Sequence, residues 1–127
     1  MARILILDDN TYFARLVESQ LTRQGYEVRV SAVGEELLDL LQAEHYDLLI
    51  MELLLQGQDG LSLLREMSCS PFSYLRVLIV THRTGYVDQQ RVAEYGADFL
   101  SKPVDLYELL KLVPMILNRQ TWEVRSK

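Results

Sequence analysis

Short apolar runs alternate along this chain with stretches in which apolar residues return every three or four positions. The runs Ile4–Leu7, Leu48–Met51 and Val77–Val80 are unbroken, the pattern of strands covered on both faces. Five strands are predicted in all, over Arg3–Leu7, Tyr26–Val30, Asp47–Glu52, Arg76–Val80 and Phe99–Ser101. Helical spacing fills the gaps. Phe13, Leu16, Val17 and Leu21 predict a helix over Thr11–Gln24, with Asn10 as its N-cap and Gly25 as its stop. Leu37, Leu38, Leu40 and Leu41 predict a second from Gly34 to Glu44. Leu61, Leu64 and Met67 mark a third, opened by Asp59-Gly60 and broken at Ser70-Pro71. A fourth is expected over Val87–Tyr95, closing at Gly96. The last follows an Asp105 cap and carries Leu106, Leu109, Leu110 and Val113. Pro114 removes the bond to the carbonyl of Leu110, so a kink or an early end is expected there.

Five strand–helix units require right-handed crossovers and a parallel sheet covered on both sides. The expected fold is α/β, a flavodoxin-like (βα)5 three-layer sandwich with five parallel strands in the order 2-1-3-4-5. At 127 residues the chain is read as one domain, over 1–118, with a tail over 119–127. A parallel sheet gathers the carboxyl ends of its strands at one edge, where open α/β folds place their sites. Asp8-Asp9, Glu52, Thr81 and Lys102-Pro103 follow four of the five strands. Three carboxylates, a hydroxyl and an ammonium at one spot suit a divalent cation and a phosphoryl group. Blander readings stand beside this one: Asp8 and Asp9 as helix-capping acids, Thr81 as a β-branched strand residue, Phe99 as core.

The net charge of −5 argues against nucleic acid or an anionic membrane as the partner. A lone cysteine, Cys69, allows no internal disulfide. No spacing of Cys and His suggests a metal centre, and no apolar stretch approaches the length of a membrane span. The first residues are apolar for too short a run to be a signal peptide. A cytoplasmic, soluble protein is expected.

In this order and spacing, the residues resemble the receiver domain of two-component response regulators. The resemblance spans Ile4 to Leu117. It rests on Ile-Leu-Ile-Leu-Asp-Asp at 4–9, Tyr-Asp-Leu-Leu-Ile-Met-Glu at 46–52, Gly-Gln-Asp-Gly at 57–60, Thr81, Gly96-Ala97-Asp98 and Lys102-Pro103. It implies that Asp8 and Asp9 hold Mg²⁺ and that position 52 is the phosphoryl acceptor. Thr81 would grip the phosphoryl oxygens and Lys102 would neutralise their charge, after a cis Lys102-Pro103 bond. Phe99 would be the aromatic that reports the switch. Leu54, His82 and Arg83 occupy positions that govern access to the pocket. The implied partners are a histidine kinase or a downstream effector, met through the face of the fourth helix, fifth strand and fifth helix, with a homodimer left open. The domain is expected to act by contact and not as an enzyme.

The main departure is Glu52, where working members carry aspartate. Its extra methylene moves the carboxylate by roughly 1.5 Å. Mg²⁺ tolerates such a shift poorly, because its octahedron is tight. In-line phosphoryl transfer tolerates it poorly too. Mg²⁺ on Asp8, Asp9 and Glu52 is therefore expected to be weak or absent. The longer arm is expected to reach Lys102, either as an incomplete mimic of a phosphoryl group or as an inert structural ion pair. His82, bulkier than the usual small residue, is expected to crowd the opening, and Gln56 replaces a common proline. The segment from Gly96 to Phe99 is one residue short. The leading expectation is an atypical receiver that is not phosphorylated in the usual way. One alternative is a receiver phosphorylated on Glu52. A more distant one is a small haloacid-dehalogenase-like phosphotransferase, which would need an acid where this chain has Asn10.

Overall fold

The computed structural model describes residues 1–119. The expected tail thus lies outside the described residues except for Arg119, and so does Trp122. Arg119 itself is tied down: its guanidinium forks onto both oxygens of Asp98, at 2.6 and 2.8 Å.

Five strands build one parallel sheet: β1 (Arg3–Leu7), β2 (Glu27–Ser31), β3 (Leu48–Met51), β4 (Arg76–Thr81) and β5 (Asp98–Ser101). Their order is β2-β1-β3-β4-β5, as expected. Helices α1 (Thr11–Arg23), α2 (Leu37–Ala43), α3 (Gly60–Ser68), α4 (Tyr86–Glu94) and α5 (Leu106–Leu117) connect and cover them. Alternation along the strands divides the core. Ile4, Ile6, Leu48, Ile50, Leu78 and Val80 pack against α1 and α5. Leu5, Leu7, Leu49, Met51, Val77 and Ile79 pack against α2, α3 and α4. Each of these residues therefore serves one of two cores, which is why the central runs carry no polar position.

Four local expectations change. Leu16 was placed in the core by spacing but is 41% exposed; Ala14 takes the buried position beside Val17 and Leu21. The second helix opens as a 3-10 turn over Gly34–Glu36 before α2 begins. A two-residue antiparallel ribbon, Leu54–Leu55 with Gln58–Asp59, follows β3 and turns at Gly57, whose φ of +77° suits glycine. Helix α5 does not end at Pro114 but continues to Leu117. Its buried stripe runs on through Val113 to Ile116, and Arg76 donates to the carbonyl of Leu117 at 3.0 Å. Tertiary anchoring thus outweighs the bond lost at the proline.

Candidate functional site

Register sets the site. Leu7 pairs with Met51, Met51 with Ile79, and Thr81 with Ser101, so the residues that follow emerge side by side at the carboxyl edge. The backbone continues the pairing one step further. Glu52 donates its N–H to the carbonyl of Leu7 at 3.0 Å, and Lys102 donates to that of Thr81 at 2.8 Å. The Lys102-Pro103 bond is cis.

The Lys102 ammonium lies between two buried carboxylates. It donates to Asp8 Oδ2 at 2.8 Å and to Glu52 Oε1 at 3.0 Å. The Phe13 ring, carried by α1, stands 4.5 Å from the same nitrogen, a cation–π contact. Glu52, 4% exposed, folds back onto the chain that follows it. Its Oε2 accepts from the Leu53 N–H at 2.6 Å and from the Leu54 N–H at 3.0 Å. Asp8 Oδ1 accepts from the Asn10 N–H at 2.9 Å. The reach of Glu52 to Lys102, expected from the longer side chain, is therefore present.

Two carboxylates share one ammonium, and the two acids respond in opposite directions. Burial pushes Asp8 above its ordinary value, and the hydrogen bonds from Lys102 and Asn10 do not offset it. Burial would also raise Glu52. The Leu54 amide, the Thr81 side chain and Lys102 together hold it below its ordinary value. Burial would lower Lys102, but its bonds to Asp8 and Glu52 keep it above its ordinary value. Burial thus prevails at Asp8, whereas at Glu52 the donated hydrogen bonds together outweigh it.

The other expected residues are spread around this core. Asp9 is half-buried and turns toward the ribbon, where Oδ2 accepts from the Gln56 N–H at 2.7 Å. Thr81 is fully buried, and its Oγ1 accepts from the Arg83 N–H at 3.1 Å. Phe99 is half-buried against the core shared with α2, α3 and α4. The Leu54 side chain is 52% exposed, and its amide donates to Glu52. His82 is exposed. Arg83 turns its guanidinium to Asp59 and Asp88.

The set expected to hold Mg²⁺ does not fit the ion in this arrangement. Lys102 takes an oxygen from both Asp8 and Glu52, backbone amides take the others, and Asp9 faces the ribbon. Among the described residues no group of three His, Cys, Asp or Glu is placed to hold a metal ion. Five contributors carry no such role in the sequence: Phe13, the Leu53 and Leu54 amides, and the acids Asp59 and Asp88. Backbone donors carry no sequence signal, and Phe13 reads as plain core. The two acids could have been suspected from the Asp59-Gly60 turn and the acid in the first turn of α4.

Comparison with known proteins gives the family. The family model for the response regulator receiver domain matches residues 4–114. The response regulator ArlR of Staphylococcus aureus strain Mu50 is 34% identical over 124 residues, which cover 94% of this chain and 54% of that protein. The chain thus spans about half the length of the curated relatives it matches. A CheY-like receiver domain protein from Methanospirillum hungatei is 28% identical with a TM-score of 0.87, covering 97% of this chain and 98% of its own. A response regulator from Burkholderia pseudomallei, solved with a phosphorylated aspartic acid, calcium and citrate, is 28% identical with a TM-score of 0.79. That match covers 99% of this chain and 72% of its own. No helix among the described residues is long and apolar enough to cross a membrane. The chain belongs to the response regulator receiver domain family of two-component signalling.

Proposed function

We propose that this receiver has left phosphoryl exchange at its acceptor position and acts by protein–protein contact. The observation that carries the reading is the engagement of Glu52. One oxygen accepts from Lys102 and the other from two backbone amides, and the residue is almost wholly buried. Attack on a phosphodonor needs a lone pair aimed at an open approach. Here those lone pairs are turned inward, and the lowered pKa reflects how well the carboxylate is held. Glu52 also draws on Lys102, and Thr81 lies fully buried in the same pocket; these are the groups that would grip a phosphoryl ligand. The pocket therefore assembles them without one. A glutamate brings one charge where a phosphoryl group brings about −1.5 to −2.

The signalling partner is a histidine kinase or a downstream effector. It would meet the domain on the α4–β5–α5 face, where Tyr86, Val87, Tyr107 and Met115 are exposed on the two helices. A second copy could use the same face. The setting in this reading is the cytoplasm.

Incubation with acetyl phosphate and Mg²⁺, followed by intact mass, tests it, with Glu52→Asp in parallel. The expected result is a phosphoryl adduct on Glu52→Asp and none on the wild type. An adduct on wild-type Glu52 would show a live acceptor and defeat the reading.

A further inference from the structure

Arg83 follows Thr81 by two residues, yet its guanidinium is directed away from Glu52. Nε donates to Asp88 Oδ2 at 2.9 Å and Nη1 donates to Asp59 Oδ1 at 2.8 Å. Its backbone N–H donates to Thr81 Oγ1. Asp88 lies in the first turn of α4. Asp59 ends the ribbon that follows Glu52 and N-caps α3, accepting from the Leu61 N–H at 3.3 Å. One residue thus touches the buried Thr81, the start of α4 and the connection between β3 and α3.

Helix α4 needs such a tie because little else holds it. Helices α1, α3 and α5 each bury at least three residues, whereas among the described residues of α4 Val92 alone is buried. Its N-cap is Gly85, which offers no side-chain cap. An exposed ion pair contributes about 1 kcal/mol or less on a well-packed surface. On a helix anchored by one buried side chain, two such pairs weigh heavily in where its amino end sits.

The geometry points to Arg83 as a clasp that fixes the amino end of α4 to the β3–α3 connection and, through Thr81, to the pocket, so that this bridge sets the pose of the partner-facing helix. The clasp does not depend on the reading of Glu52, since it involves neither Glu52 nor Lys102; that α4 faces the partner rests on the proposed function.

Amide hydrogen exchange on the full chain tests it, comparing wild type with Arg83→Gln, Arg83→Lys and Asp59→Asn. Arg83→Gln should speed exchange across residues 84–95 by about fivefold, the combined worth of two exposed pairs, and leave β1 and β3 unchanged. Asp59→Asn is the discriminating variant. Asparagine caps a helix as well as aspartate does, so α3 keeps its start while Arg83 loses a charged partner. The clasp requires faster exchange in α4 from this change in a different element. Arg83→Lys should fall between, because a single ammonium cannot reproduce the forked donors. High salt should move the wild type toward Arg83→Gln and leave that variant where it is. Unchanged α4 exchange in either Arg83→Gln or Asp59→Asn overturns the proposal, as does an increase spread evenly over the domain.

Discussion

At the carboxyl edge of the sheet, two neighbouring regions are held in different ways. Asp8, Glu52 and Lys102 are nearly closed to solvent and satisfy one another through charged hydrogen bonds, backed by amides and an aromatic ring. Helix α4 begins a few residues beyond Thr81, yet it is mostly exposed and joined to its surroundings by half-exposed ion pairs. The first region has its cation supplied by the chain itself and little reason to change. The second is the one whose position a modest energy can alter. On the proposed reading, the pocket stays constant and any adjustment falls to the helix beside it.

The contrast can be broken most forcefully at Lys102. In Lys102→Met two buried carboxylates lose their shared cation, and the fold should lose about 3–5 kcal/mol in denaturant unfolding at neutral pH. A loss below 1 kcal/mol would mean that the pocket is wetter than its burial implies.

Gly60→Ala should come next. A Cβ at Gly60 would stand 2.5 Å from Leu53 Cα and 2.9 Å from the carbonyl oxygen of Glu52, against backbone that cannot swing aside. A loss of roughly 1–3 kcal/mol is expected, read from the same unfolding curves.

Glu52→Gln tests the electrostatics with a sign. Glu52 has a lowered pKa in the folded state, so its contribution is complete above its ordinary value of 4.5 and fades as pH falls through the folded one. At pH 7 the variant should be less stable than wild type by roughly 1–3 kcal/mol. That gap should narrow as pH drops below 4.5. Asp8 runs the other way. Its folded pKa is raised, so its relative contribution is greatest below its ordinary value of 3.8 and is lost as pH rises from there. Asp8→Asn should therefore gain on wild type with rising pH over that window. Parallel trends for the two variants would contradict the division of charge between them.

The smallest effect belongs to the α4 surface. Tyr86→Ser and Val87→Ser, at positions 75% and 59% exposed, should each change stability by less than about 0.5 kcal/mol. If either costs as much as Gly60→Ala, α4 is not the loosely held element described here.

The sequence carried the sheet because its central strands are unbroken apolar runs, and the residues that end those runs are the ones the site uses. It carried the approach of Glu52 to Lys102 because one methylene of length is a sequence fact. Three kinds of feature lay beyond it. The ribbon after β3 is too short for any periodicity, so the amides that fix Glu52 could not be foreseen. The continuation of α5 past Pro114 goes with the burial of Val113 and Ile116 and with a bond from Arg76, which is distant in sequence. The turning of Asp9 to Gln56 and of Arg83 to Asp59 and Asp88 reflects competition among partners that only the folded chain brings together.

The central claim is that the pocket is complete without a phosphoryl group. Amide-resolved NMR spectra of the wild type, recorded with and without saturating acetyl phosphate and Mg²⁺, address it most directly. The account predicts unchanged resonances from Thr81 through Lys102 in the wild type, with clear shifts across the same residues in Glu52→Asp. Shifts of matching size in the wild type would contradict it.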